Sequence, residues 1–241
     1  MFKNSKVKKS LSILTLTLFL HHPLLWAQPK ADSFPDYKIG SGAKYELNVG
    51  GSPSNVTMAV LSRTKNRLVI EILIESTGDN QALGIKMWQQ FHMRLVGGKI
   101  QIEKGIMKIP QIAKPQVFPN EYLQGFSGVQ MRSFLINSDS EITGKKISSE
   151  KISVGGQTFD AQHYKHSENN QSVEFWLANT AKPFGLVQMT SSGGQSGQTY
   201  KMTFQNTVTN YQPKIDASLA EPLNEAAKMF LPLLGPGLFR D

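Results

Sequence analysis

Three observations predict a mainly β chain built on one large, strongly curved antiparallel sheet. Val-Gly-Gly occurs at Val49, Val96 and Val154, and two adjacent glycines can both take the φ > 0 that a type I′ hairpin turn requires. Apolar residues recur at every second position through most of the chain from Tyr45 to Val208, the period of a strand with one buried face. One such run, centred on Ile85 to Leu95, extends to about 14 residues, or roughly 45 Å at 3.3 Å per residue. That length suits a curved sheet better than a compact sandwich.

At the start of the chain, Lys3, Lys6, Lys8 and Lys9 precede an apolar run from Leu11 to Leu20, and Leu24-Leu25-Trp26-Ala27 follows His21-His22-Pro23. A charged stretch, a short apolar stretch and a terminal small residue describe a secretory signal peptide cleaved near Ala27. An uncleaved anchor is the rival reading, disfavoured because a spanning helix needs about 20 apolar residues. Three segments result: residues 1–27 as signal peptide, 28–212 as the curved β domain, and 213–241 as a C-terminal helix and apolar tail packing on it.

Charge follows this division. The whole chain carries 26 basic and 18 acidic residues; removing residues 1–27 takes away four lysines and no acids, leaving 22 against 18. The remaining lysines are scattered among Gln, Asn and Ser, which excludes the basic stripe of a nucleic-acid partner. Cysteine is absent. An exported chain without disulfides, held by its core alone, fits a bacterial periplasm. It also has no N-terminal cysteine to lipidate, so the mature chain is expected to be free. Asn55-Val56-Thr57 and Asn170-Gln171-Ser172 match a glycosylation sequon, a pattern short enough to arise by chance.

Residues 28–35 read as a loose lead-in. Tyr45, Leu47 and Val49 form a first strand, Val56, Met58 and Val60 a second, and the β-branched run Leu68 to Ile74 a third, with Glu71 and Glu75 on one face. In the fourth, Ile85, Met87, Phe91, Met93 and Leu95 share one parity, while Lys86, Trp88, Gln90, His92 and Arg94 share the other. Ile100, Ile102 and Ile106 continue the sheet after the second Val-Gly-Gly. Prolines at 110, 115 and 119 deny a central strand its ladder donors. Lys108 to Asn137 is therefore a crossover, with room for one short helix in Glu121 to Leu135.

The sheet resumes at Lys145 to Val154. Val173, Phe175 and Leu177 alternate with Glu174 and Trp176, Lys182-Pro183 starts a turn, and Phe184, Leu186 and Gln188 resume the period. Ser191 to Gln198 reads as a flexible loop tip. Tyr200, Met202 and Phe204 then alternate with Lys201, Thr203 and Gln205. Beyond Pro213, Asp216 is placed to cap an amphipathic helix running to about Phe230, with Leu219, Leu223, Ala226, Ala227 and Phe230 on one stripe. The apolar tail Leu231 to Phe239 either plugs the sheet or touches a membrane or partner.

Catalytic signatures are missing. Ser127 and Ser196 lack the second glycine of a nucleophile elbow. Asp160, Glu168 and Glu174 fall where hairpin strands place solvent-side charges. His163 and His166, three apart, lie on opposite faces of a strand and have no third ligand at useful spacing. No metal, cofactor or catalytic residue is expected. The distinctive content is apolar: nine methionines and thirteen phenylalanines. Methionine adapts its shape to varied apolar partners. These residues either fill the core or line a concave face that holds an acyl chain. On the second reading the candidate lining is Met87, Phe91, Met93, Phe175, Leu186, Met202 and Phe204.

The run Lys151 to Met189 resembles the core of the periplasmic lipoprotein-carrier-like superfamily through Gly156, Phe159, Tyr164, Val173, Trp176, Pro183, Gly185, Leu186, Val187 and Met189. Gly42 to Glu46 and Leu68 to Glu71 resemble its opening strands. The resemblance implies an unclosed, strongly curved antiparallel barrel with a few covering helices, and a tendency to bind acyl groups. Two departures limit it. The receptor's lipid-anchored cysteine is absent, and the arginine that governs release from the carrier has no counterpart here. Lipoprotein transport is therefore not implied. The expected function is a periplasmic, non-enzymatic binding protein for a lipid, lipidated protein or other apolar ligand, with peripheral membrane contact allowed. The alternative is an envelope structural protein docking on a protein partner through a sheet edge or the C-terminal tail.

Overall fold

The computed structural model describes residues 33–77, 86–124, 135, 144–168, 171–193 and 199–228. The segment expected to be a signal peptide, residues 194–198 of the expected loop tip and the expected apolar tail from Leu231 lie outside them. The strands are β1 (Gly42–Val49), β2 (Ser52–Arg63), β3 (Arg67–Ser76), β4 (Lys86–Val96), β5 (Lys99–Lys108) and β6 (Gln116–Val117). After the short helix α1 (Asn120–Gln124) come β7 (Lys145–Val154), β8 (Gln157–Glu168), β9 (Gln171–Leu177), β10 (Leu186–Gly193), β11 (Tyr200–Val208) and β12 (Glu221–Pro222), then α2 (Glu225–Lys228).

All twelve strands belong to one sheet, in the order β12-β6-β5-β4-β3-β2-β1-β11-β10-β9-β8-β7. Every pairing is antiparallel except β12 with β6. Two meanders, β1–β6 and β7–β11, therefore meet where β1 pairs with β11, and the sheet ends at β7 and β12 without closing. This is the mainly β, unclosed arrangement that the sequence implied.

The three Val-Gly-Gly units are hairpin turns, as expected. Both glycines have positive φ in each: 55° and 93° at Gly50-Gly51, 55° and 74° at Gly97-Gly98, 55° and 71° at Gly155-Gly156. Within the described residues β4 covers eleven, and Ile85 of the expected longer run lies outside them. Register shifts occur along the sheet, at Lys44/Tyr45, Val60/Ser62, His92/Met93 and Leu186/Gln188 among others. An inserted residue bends its strand and increases the local twist.

One face of the sheet is the core. It buries Ala43, Tyr45 and Leu47 of β1, Met87, Gln89, Phe91, Met93 and Leu95 of β4, and Tyr200, Met202 and Phe204 of β11. Short segments cover it. Phe34 and Tyr37 come from the lead-in, Phe118 and Leu123 from the crossover, and Phe184 from the β9–β10 turn, whose Lys182–Pro183 peptide is cis. The Tyr37 hydroxyl donates to the Leu135 carbonyl at 2.5 Å and its ring tilts against Phe184 at 5.6 Å. Phe118 stacks on Phe91 at 6.0 Å. Gly105 makes room for this cover, since a Cβ there would lie 2.6 Å from both Phe118 and Leu123.

Beyond β11 the chain crosses the outer face. Glu71, at 0% exposure, accepts from the Tyr211 hydroxyl at 2.7 Å and from the backbone N–H groups of Lys214 and Ile215 at 2.9 and 3.1 Å. Asp216 caps as expected, accepting from Ser218 N–H at 3.0 Å, but it caps only a three-residue 3-10 turn, Ala217–Leu219. The expected helix to Phe230 is thus corrected within the described residues. Glu221 and Pro222 are extended as β12, and the helical turn begins at Glu225. Proline denies α conformation to the residue before it and has no N–H for a helix interior. Pairing with β6, fixed by Glu221 N–H to Pro115 O at 2.9 Å and Asn224 N–H to Gln116 Oε1 at 3.0 Å, decides against the amphipathic stripe.

Candidate functional site

The seven residues expected on a concave apolar face all lie in one buried cluster, none more than 5% exposed. They form two patches. Phe175, Met189 and Met202 follow one another across β9, β10 and β11, with Phe204 next on β11 and Leu186 opposite Leu177. Met87, Phe91 and Met93 form the other patch on β4, opposite Ile74, Ile70 and Leu68 of β3. Tyr45, Met58 and Ile72 of the intervening strands join the two. Phe204 meets Tyr45 edge-on at 6.0 Å and Phe159 edge-on at 5.4 Å, so the β8 hairpin also reaches this face.

Polar atoms interrupt the surface. Among the described residues, the Tyr45 hydroxyl and the Gln89 side-chain oxygen are buried without a hydrogen-bond partner. Burial, helped by the neighbouring Tyr37, pushes the Tyr45 phenol far above the usual tyrosine range, so it stays neutral. Among the described residues, the Gln89 amide nitrogen reaches only the Met87 sulfur, at 3.9 Å. Gln89 was not among the candidates. Its signal lies in the alternation: it is the polar residue at the apolar parity between Met87 and Phe91.

The outer face carries the other groups considered for chemistry. His163 stacks on Trp176 with ring centroids 4.2 Å apart and an interplanar angle of 14°. Its Nε2 lies 2.9 Å from Glu174 and its Nδ1 3.4 Å from Glu150, which also accepts from Trp176 Nε1 at 2.8 Å. Lys165 pairs with the other Glu174 oxygen at 2.9 Å. The hydrogen bond from Lys165 is the main cause that holds the Glu174 carboxyl below its usual range. This cluster stitches β7, β8 and β9 together. His166 lies opposite Val173, at the other parity from His163. Among the described residues, no group of three or more His, Cys, Asp or Glu could hold a metal ion. His92 is hydrogen-bonded to Gln90 at 3.0 Å, and burial, then Lys104, lower its pKa. A shallow polar groove of about 490 Å³ lies across β1 and β11, lined by Glu46, Asn48, Gly50, Lys201 and Thr203 among others. Its strand residues have the parity opposite to Tyr45 and Met202, so it is separate from the apolar face. No helix among the described residues is long and apolar enough to cross a membrane.

No protein-family model matches the chain, and no curated protein matches it. Solved structures do. The chain is similar to MucB in the MucA/MucB complex of Pseudomonas aeruginosa, with a TM-score of 0.40 and 13% identity over 83% of this chain and 61% of that one. It thus spans less than two thirds of that structure. It is similar to a putative outer membrane lipoprotein-sorting protein domain from Vibrio parahaemolyticus (TM-score 0.36, 10% identity, 74% of this chain and 87% of that one). It is also similar to a putative exported protein with YmcC-like fold from Bacteroides fragilis (0.38, 9%, 73% and 99%). At these values the likeness concerns the course of the chain and not what it binds.

Proposed function

We propose that this chain is an exported, periplasmic binding protein, non-enzymatic, whose curved sheet holds an acyl chain or another apolar ligand against its buried face. One observation supports this above others. A sheet of twelve strands has one largely apolar face, rich in Met and Phe, and among the described residues it is covered by short segments rather than by a second sheet. Covers of that kind can part locally without breaking the strand ladder. Met58, Met87, Met93, Met189 and Met202 on that face can re-pack around ligands of varied shape. The lining is Met87, Phe91, Met93, Phe175, Leu186, Met202 and Phe204, and access requires the cover formed by Phe34, Tyr37, Phe118 and Leu123 to move. The ligand is a free lipid or the acyl part of a lipidated protein.

Native mass spectrometry of the protein purified without detergent from the cell envelope tests the reading. A lipid adduct lost on collisional activation is the expected result. A lipid-free protein that also fails to take up a fluorescent fatty-acyl probe overturns it. The second reading, docking on an envelope protein through a sheet edge, is favoured by β7, whose ten residues end the sheet and lie largely in solvent. A lipid-free protein in a stable complex supports that one.

A further inference from the structure

An end strand of an unclosed sheet carries a row of backbone N–H and C=O groups that another extended chain can pair with. The two ends of this sheet differ. β12 is two residues long and ends in Pro222, which has no N–H to offer. β7 has ten residues, all but three of them exposed, and among the described strands it pairs with β8 alone. Ile147, where the register of β7 shifts, is 52% exposed.

Residues opposite each other across a strand pair share a face, so the β7–β8 register sorts the side chains of β7. Lys146, Ser149, Lys151 and Ser153 stand opposite Tyr164, Gln162, Asp160 and Thr158 and share one face. Glu150, Ile152 and Val154 stand opposite Ala161, Phe159 and Gln157 and share the other. The second face is apolar toward the hairpin, where Ile152 and Val154 pack against the buried cluster. The first is cationic. Lys146 and Lys151 are exposed, and among the described residues neither forms an ion pair. Asp160, itself exposed, is the acid opposite Lys151. Glu150, the one acid of β7, is on the other face and is engaged there: it accepts from Trp176 Nε1 at 2.8 Å and Ser148 Oγ at 3.3 Å, and lies 3.4 Å from His163 Nδ1. The backbone edge is therefore flanked by uncompensated positive charge on one side and by an apolar row on the other.

We propose that β7 docks an extended segment of another protein in which acidic and apolar residues alternate. The segment adds to the sheet as a further strand. Its acidic side chains face Lys146 and Lys151, and its apolar side chains continue the row of Ile152 and Val154. Main-chain hydrogen bonds supply attachment and the alternating side chains supply selectivity. A second copy of this chain is the wrong occupant, because it sets the same lysines on both sides of the seam. The assignment rests on the second reading above, docking through the β7 edge, and adds the chemistry of the partner; it does not depend on acyl binding.

The test titrates isotope-labelled full-chain protein with three capped eight-residue peptides, in which valine alternates with glutamate, lysine or threonine. Affinity is read from amide shifts, and docking at the edge from slowed amide exchange in β7. The glutamate peptide is expected to slow exchange there and to bind about tenfold tighter than the lysine peptide, since opposite charges across a strand pair attract and like charges repel. Replacing Lys146 and Lys151 together with threonine is expected to abolish that preference at an unchanged melting temperature, and replacing both with arginine to keep it. Equal affinity for all three peptides, with β7 protected, overturns the acidic assignment and leaves edge docking standing. Protection of β7 by no peptide overturns both. Protection by phosphatidylglycerol vesicles and by no peptide assigns the lysines to a membrane surface and likewise overturns the proposal.

Discussion

Glu71 shows how one carboxylate fixes a segment about 140 residues away in sequence. It lies on the outer face of β3, where an unpaired charge would remain in water, yet it is fully buried because the segment after β11 lies over it. Tyr211 and two backbone N–H groups supply three hydrogen bonds, and the Gln90 amide, beside it on β4, lies 3.5 Å from the Ile215 carbonyl. Burial, then the bond to Glu71, raise the Tyr211 phenol above its usual range, so it remains a donor. Glu71→Ala would leave these donors without an acceptor. Each unsatisfied buried group costs about 1–3 kcal/mol, and water reaching the loosened segment offsets part of the sum. A loss of about 3 kcal/mol in urea unfolding is expected, with faster amide exchange at Lys214 and Ile215. Unchanged exchange there would show that other contacts hold the segment. The sequence shows Glu71 on a polar parity of β3 but cannot name its partners, because no local pattern links position 71 to positions 211–215.

At the scale of elements, legibility follows range. The Val-Gly-Gly turns were readable because the requirement for positive φ is contained in two adjacent residues. The C-terminal helix was misread because its stripe of apolar residues is a local signal that two features outweigh. Pro222 breaks it, and β6 offers a strand edge that only the folded chain presents. Leu219, placed on the helix's buried stripe, is 57% exposed. The β7–β8 turn separates local from distant constraint within a single dipeptide. A Cβ at Gly156 meets nothing within 4 Å, whereas one at Gly155 would lie 2.3 Å from the Gln205 carbonyl oxygen of β11. Gly156→Ala should therefore cost only the left-handed backbone, about 1–2 kcal/mol. Gly155→Ala must in addition push the hairpin off β11, so its loss should be at least about twice as large. Equal urea midpoints for the two variants would mean that the hairpin tip does not bear on β11.

For the whole molecule, an unclosed sheet has two ends, and they are guarded differently. At one, β12 is two residues long and ends in Pro222, whose ring carries no N–H to offer a further strand. At the other, β7 runs ten residues, and among the described strands its backbone pairs with β8 alone. Ile147 there is 52% exposed, so the strand has the length and some of the character that invites pairing with another chain. Lys145, Lys146 and Lys151 stand exposed along it, while Glu150 is drawn toward Trp176 and His163 of the neighbouring strands. A second copy approaching edge to edge would bring lysine against lysine and strip water from both. Replacing Lys145, Lys146 and Lys151 together with threonine keeps β propensity and removes that repulsion. The triple variant should keep the wild-type melting temperature at low concentration but self-associate as concentration rises, read as a growing mass in analytical ultracentrifugation. A variant that stays at the wild-type mass throughout would show that the twist of β7 and its register shift at Lys146/Ser148, not its charge, keep this edge unpaired.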